Sequence, residues 1–291
     1  VCDFLTATYR HETAGGNWIE PRWEYMHYHP HLDDRSLHKI GIWEDSGRIV
    51  AVANYEDKPG TAFFQLRQGY EHLKPEMLAY SEAHLSEELS GSGRKLRLAI
   101  NDFDLELQAL AVERGYVKNE QKPEWESRFD ITEPFPNIEV PTGFKIKSLA
   151  DEFNLRKVHR VMWRGFNHPG EPPEEGIEWR RRKLSAPSLR NDLTVVVEAP
   201  DGNFASFCGM WYDSTHRFAF VEPVATDPDY RRMGLGKAAV LEGIRRCKEL
   251  GATVAYVGSG QPFYEALGFR KTFAAFFWVR EWDQTGRPAS S

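Results

Sequence analysis

The sequence predicts a mixed α/β fold built twice along the chain, each copy a mostly antiparallel mixed sheet flanked by helices. Three observations carry this. The first is length: 291 residues, at about 150 per domain, call for two domains. The second is residues 132–142, TEPFPNIEVPT, where three prolines in eleven residues discourage helix and remove ladder donors. Domains are therefore expected at 1–131 and 143–291, with a linker at 132–142. The third is an internal repeat. Residues 39–55, KIGIWEDSGRIVAVANY, and 193–212, LTVVVEAPDGNFASFCGMWY, each read as a strand, a charged Gly turn and a second strand. Upstream of each hairpin, at similar distance, lies a helical stretch with a tryptophan, Trp23 in one and Trp179 in the other.

The elements follow in the same order in both halves. Residues 109–118, ALAVERGYVK, and 262–271, PFYEALGFRK, each read as a short helix stopped by glycine and followed by an aromatic strand residue. The halves differ at their start: 36 residues run from Phe144 to Trp179, but only 22 precede Trp23. With Val1 as first residue, the expectation is that an opening strand and part of a helix of the first copy lie outside this numbering.

Composition narrows the partners. The chain carries 37 Lys and Arg against 43 Asp and Glu, a net −6, with 41% apolar residues and 9 Trp, 11 Tyr and 18 Phe, a globular composition. Residues 1–138 hold 15 basic and 24 acidic side chains, the remainder 22 and 19. An acidic first half repels a phosphate backbone, which argues against nucleic acid, whereas a mildly basic second half suits a small polyanion. The longest apolar run, 273–279, has seven residues, far below the roughly 20 of a membrane helix, and no charged-then-apolar leader opens the chain. A soluble, cytoplasmic protein with no membrane partner is expected; oligomeric state is left open. Cys2, Cys208 and Cys247 lie far apart with no CxxC pair, so neither a disulfide framework nor a metal site is expected.

The most informative stretch is 218–251, FAFVEPVATDPDYRRMGLGKAAVLEGIRRCKELG, a strand, a turn and a long helix. At the turn, RRMGLG places Gly234 and Gly236 where the helix begins, so backbone N–H groups can face an anion without Cβ obstruction. The helix dipole and Arg231, Arg232 and Lys237 add positive charge there. Leu235, Ala238, Leu241, Ile244 and Cys247 recur every three residues, with Ala239 and Val240 widening the stripe, and Gly251 supplies the stop. The pattern is neither a Walker loop nor a GxGxxG fingerprint. Pro223 lacks an N–H, so the strand should carry a bulge there.

This segment resembles the signature [Q/R]xxGx[G/A] of the GNAT superfamily of N-acetyltransferases, matched by Arg231, Gly234 and Gly236, and FYEALGF around Tyr264 is similar to that family's closing segment. The resemblance implies two tandem GNAT-like acyltransferase domains and acetyl-CoA as cosubstrate. It also implies a fourth and fifth strand that splay, with pantetheine lying against the main chain of Val224, Ala225 and Thr226. The pyrophosphate would then rest on the amides of Arg232, Met233, Gly234, Leu235, Gly236 and Lys237. An Asn that often meets pantetheine in the family is replaced here by Gly258–Gly260, GSG, leaving Ser259 as a weak substitute.

Direct acetyl transfer to an amine needs a base, oxyanion donors and an acid for the departing thiolate. Glu222, on the fourth strand, is the expected general base or else a strand-end ion pair. The Val224 N–H is the expected oxyanion donor, by resemblance, and Tyr264 the expected general acid. No nucleophilic cysteine is needed. In the first half no GxG precedes the corresponding helix, Pro75 stands in that region, and Ala111 aligns with Tyr264. The first domain is therefore expected to be degenerate, a scaffold or substrate wall. The acceptor is expected to be a small-molecule amine; a non-catalytic acyl-CoA-binding module is the alternative. His27, His29 and His31 read as a polar loop, and Arg180–Lys183, RRRK, as a solvated helix face.

Overall fold

The computed structural model describes residues 1–10, 16–89 and 93–283. The chain divides into two compact units, Val1–Trp125 with Phe273–Ser291, and Glu126–Thr272. In the first unit α1 (Cys2–Thr8) and α2 (Glu20–Tyr28) precede β1 (Gly41–Asp45), β2 (Arg48–Asn54) and β3 (Thr61–Leu66). Ser46 and Gly47, with φ of 50° and 73°, form the β1–β2 turn, the paired positive φ that matches strand twist in a two-residue hairpin. Then follow α3 (Lys74–His84), β4 (Glu87–Glu88), β5 (Arg94–Asn101) and α4 (Leu105–Glu113), whose first turn Asp104 caps by accepting from the Leu107 amide.

The chain leaves this unit within β6 (Val117–Asp130). The second unit continues with β7 (Lys145–Ser148), α5 (Leu155–Gly165), α6 (Gly176–Leu184), β8 (Val195–Glu198), β9 (Phe204–Asp213) and β10 (Phe218–Thr226). It closes with α7 (Leu235–Glu249), β11 (Val254–Val257), α8 (Pro262–Leu267) and the start of β12 (Arg270–Trp282), whose remainder belongs to the first unit.

The two units repeat one layering. In the second, alternate strand residues reach opposite faces: Val195, Val197, Cys208 and Met210 pack with α7 and α8, while Val196 and Phe207 pack with α5. In the first, Ala51 and Ala53 share a core with Met77 and Leu78 of α3, while Val52 packs with Phe4, Trp23 and Met26 of α1 and α2. The expected double fold is present.

Its closing strands are crossed. The strand after α4 ends beside β11, Ser127 to Asp130 pairing antiparallel with Val257 to Val254. The strand after α8 ends beside β5, Ala275 to Trp282 pairing with Asn101 to Arg94. Residues 132–142, read as a linker, lie inside the second unit, where Phe135, Ile138 and Val140 pack against its main core and Lys248 pairs with Glu133. Prolines exclude helix and ladder there, as expected, but leave three apolar side chains free to dock. Among the described residues no helix is long and apolar enough to cross a membrane.

Candidate active site

The site forms where β10 loses one neighbour. On one edge it pairs antiparallel with β9, from Phe218↔Asp213 to Thr226↔Ser206, with a register shift between Val221 and Val224. That is the bulge expected at Pro223. Gly209 permits it: a Cβ there would stand 2.4 Å from the Glu222 carbonyl oxygen. The Trp211 indole donates to the same carbonyl at 3.0 Å. On the other edge the parallel ladder with β11 spans only Phe218–Phe220 against Val254–Tyr256, and the strands part beyond it. Val224, Ala225 and Thr226 lie in the parted stretch. The Ala225 carbonyl accepts from Ser206 Oγ at 3.0 Å, and the Thr226 carbonyl from Arg231 Nε at 3.2 Å.

Beyond the opening stands the start of α7. Gly234 is its N-cap, at φ 81°, and no side chain caps the first turn, unlike α5, where Asn154 accepts from the Lys157 amide. The amides of Leu235, Gly236 and Lys237 therefore offer donors and the positive end of the dipole. A Cβ at Gly234 would meet nothing within 4 Å, whereas one at Gly236 would lie 2.9 Å from Thr226 Oγ1 and 3.4 Å from the Phe263 ring. The two glycines thus differ: the first turns the chain, the second lets α7 approach β10 and α8. Arg232, at φ 62°, and Met233 complete the turn. Among the described residues Arg232 and Lys237 are exposed and form no ion pair. Arg231 is engaged, donating to the Thr226 and Gly165 carbonyls.

Sequence reasoning missed what fixes this turn. Asp227 is fully buried and accepts from Arg160 and Arg164 of α5, at 2.8 and 2.7 Å, and from the Asp229 amide at 3.0 Å. Arg164 also pairs with Asp229. Burial by itself would raise the Asp227 carboxyl, but the Arg164 hydrogen bond, the Asp229 amide and both guanidinium charges outweigh it and hold it below the ordinary range. Arg160 and Arg164 stand four apart on one helix face, which is legible in sequence; their partner lies over sixty residues away and is not.

Tyr264 is buried at the start of α8, its ring edge-on to Phe263 and Phe269. Burial, then the nearby Cys208 and Glu222, push the phenol well above its usual range, so it keeps its proton at neutral pH. Glu222 is half-buried on β10, and its charge adds to the upward push on Tyr264 and Cys208. Both buried thiols stay protonated: burial drives Cys208 far up and Cys247 to about 12. The Ser259 carbonyl accepts from Ser127 Oγ at 2.7 Å and its hydroxyl from the Gln261 amide at 3.3 Å. Among the described residues no group of three metal-ligating side chains occurs, and His29 lies 3.8 Å from Asp57.

The first unit keeps the opening, and a cavity of about 550 Å³ lies there, lined by Asn17, Leu66, Arg67, Lys74 and Asn101 among others. β3 and β5 pair in parallel only at Thr61↔Arg97 and Ala62↔Leu98. Across the parted ends, Asn17 donates to the Leu66 carbonyl at 2.9 Å and accepts from the Leu66 amide at 2.7 Å, and Asn101 of β5 donates to the Gly16 carbonyl at 3.0 Å. At the following helix Pro75 occupies the first turn, and Lys74 is paired with Asp104 and Glu106. Ala111 is buried in α4.

A mixed sheet thus opens ahead of an uncapped helix, with the buried Tyr264 phenol on the next short helix. Residues 155–269, within the second unit, match the acetyltransferase (GNAT) family. No curated protein matches the chain. Among solved structures it resembles a GCN5-related N-acetyltransferase from Sphaerobacter thermophilus (TM-score 0.61, 16% identity, 81% of this chain and 78% of that one). It also resembles a tandem GNAT protein from the clavulanic acid biosynthesis pathway (0.59, 13%, 82% and 81%). These likenesses show the fold.

Proposed function

We propose that the second unit transfers an acetyl group from acetyl-CoA to the primary amine of a small molecule by direct attack. The observation that carries this reading is the uncapped first turn of α7, flanked by Arg232 and Lys237, at the end of the β10 opening. In it the diphosphate rests on the amides from Arg232 to Lys237, and pantetheine runs beside Val224, Ala225 and Thr226. Glu222 takes a proton from the substrate ammonium; the amine nitrogen bonds to the acyl carbon, the carbon–sulfur bond breaks as Tyr264 protonates the departing thiolate, and the second proton that the nitrogen loses in becoming an amide restores the Tyr264 phenol. The Val224 amide stabilises the oxyanion. Protonated Cys208 and Cys247 fit a route without a covalent enzyme intermediate. The first unit takes no coenzyme in this reading, because Asn17 holds the Leu66 main chain and Lys74 closes the helix start.

Calorimetry with acetyl-CoA, then thiol release over a panel of amines, tests it. One acetyl-CoA per chain and amine-dependent release are expected. Gly234→Glu should abolish binding by placing a carboxylate at the anion site. Binding without release from any amine would identify a non-catalytic acyl-CoA-binding module, and binding retained in Gly234→Glu would overturn the cradle.

A further inference from the structure

We propose that the C-terminal turn of α5 is the seat of the cradle, and that Asp227, Arg164 and Gly165 are positioning residues setting how tightly the acyl-CoA diphosphate is held. The proposal rests on the function proposed above. The cradle turn needs external support. Arg232 and Gly234 both adopt left-handed backbone, at φ 62° and 81°, and a non-glycine residue stays there only when its surroundings over-determine it.

α5 supplies that support from both sides. At the entry, Asp227 has one carboxylate oxygen on Arg160 and Arg164 and the other on the Asp229 amide. At the exit, the Arg231 guanidinium bridges the Thr226 carbonyl and the Gly165 carbonyl, the latter at 2.8 Å. Between these points α5 lies flat on the strand end: a Cβ at Gly165 would stand 2.7 Å from the Ala225 Cβ and 3.0 Å from the Thr226 amide nitrogen. Glu171, in the segment after α5, pairs with Arg160 and Arg164 and so joins the same network. The amides facing the diphosphate are thereby referenced to a helix on the opposite face of the sheet. Arg164 bridges Asp227 and Asp229 through the spread of its guanidinium, a geometry the single ammonium of lysine does not reproduce.

The test measures acetyl-CoA affinity by calorimetry, and KM for acetyl-CoA against kcat, in Arg164→Lys, Gly165→Ala and Asp227→Asn. Loss of one charge-assisted contact corresponds to about tenfold or more in affinity. Each variant is expected to weaken acetyl-CoA binding and raise its KM by about that factor, with kcat at saturation within about threefold. If Asp227→Asn does not fold, Arg164→Lys and Gly165→Ala decide, since both keep the buried carboxylate and a positive charge at positions 160 and 164. Folded variants with wild-type affinity and KM would overturn the positioning role while leaving the cradle intact. Failure of the wild type itself to bind acetyl-CoA would overturn the cradle, and this proposal with it.

Discussion

In the function proposed above, Glu222 on β10 and Tyr264 on α8 divide base from acid. Burial keeps the Tyr264 phenol protonated, with Cys208 and Glu222 adding to that effect, which suits a proton donor. Tyr264→Phe and Glu222→Gln should each lower turnover by on the order of 100-fold while nearly preserving acetyl-CoA affinity, read by steady-state kinetics beside calorimetry. Asp227 is expected to contribute to acid sensitivity at the turn before α7. Its folded value is lowered, so its stabilising contribution is complete above its unfolded value of about 3.9 and fades as pH falls through the folded one. Protection of residues 226–232 from hydrogen exchange, taken relative to the intrinsic rate at each pH, should therefore fall below about pH 4, with acetyl-CoA affinity falling over the same interval. Unchanged protection down to about pH 2 would remove Asp227 from this role.

At the scale of elements, the same device, a parallel strand pair that opens after two or three residues, has opposite fates in the two units. In the second, β10 carries a proline bulge and faces an uncapped helix; in the first, the Asn17 side chain takes up both main-chain groups of Leu66 while Asn101 of β5 holds the Gly16 carbonyl. The Asn17 contacts are buried: Asn17 is 8% exposed, and the neighbouring Gln65, which accepts from the Trp18 amide at 2.7 Å, is fully enclosed. Asn17→Ala would leave a main-chain donor and acceptor of Leu66 unpaired, a cost of about 1–3 kcal/mol. The expected result is a lower unfolding midpoint for the first unit by several degrees, with acetyl-CoA binding by the second unchanged. A coincident loss of acetyl-CoA binding would show that the first unit does hold coenzyme.

Across the whole molecule, covalent order and spatial order part company at the closing strands. A piece spanning 143–291 would lose Ser127–Asp130 from beside β11 and would carry the Ala275–Trp282 strand without β5. Unpaired strand edges of that kind drive aggregation. Such a piece should express insolubly, whereas 126–272, which keeps every strand of the second unit, should remain soluble and bind acetyl-CoA. Equal solubility of the two pieces would show that the crossed strands add nothing to the second unit.

The sequence by itself determined what local chemistry governs: the doubled order of elements, the apolar stripe of α7, the glycines of the cradle and the bulge at Pro223. Each follows from side-chain periodicity or from backbone freedom at a single residue, and such signals need only a few neighbouring positions. Tertiary structure alone decided the crossed closing strands, the docking of residues 132–142, the seat that Asp227 finds on α5 and the Asn17 contacts with Leu66. Strand pairing joins residues more than a hundred positions apart, and a buried ion pair is defined by who shares its pocket. Neither leaves a spacing that can be read along the chain.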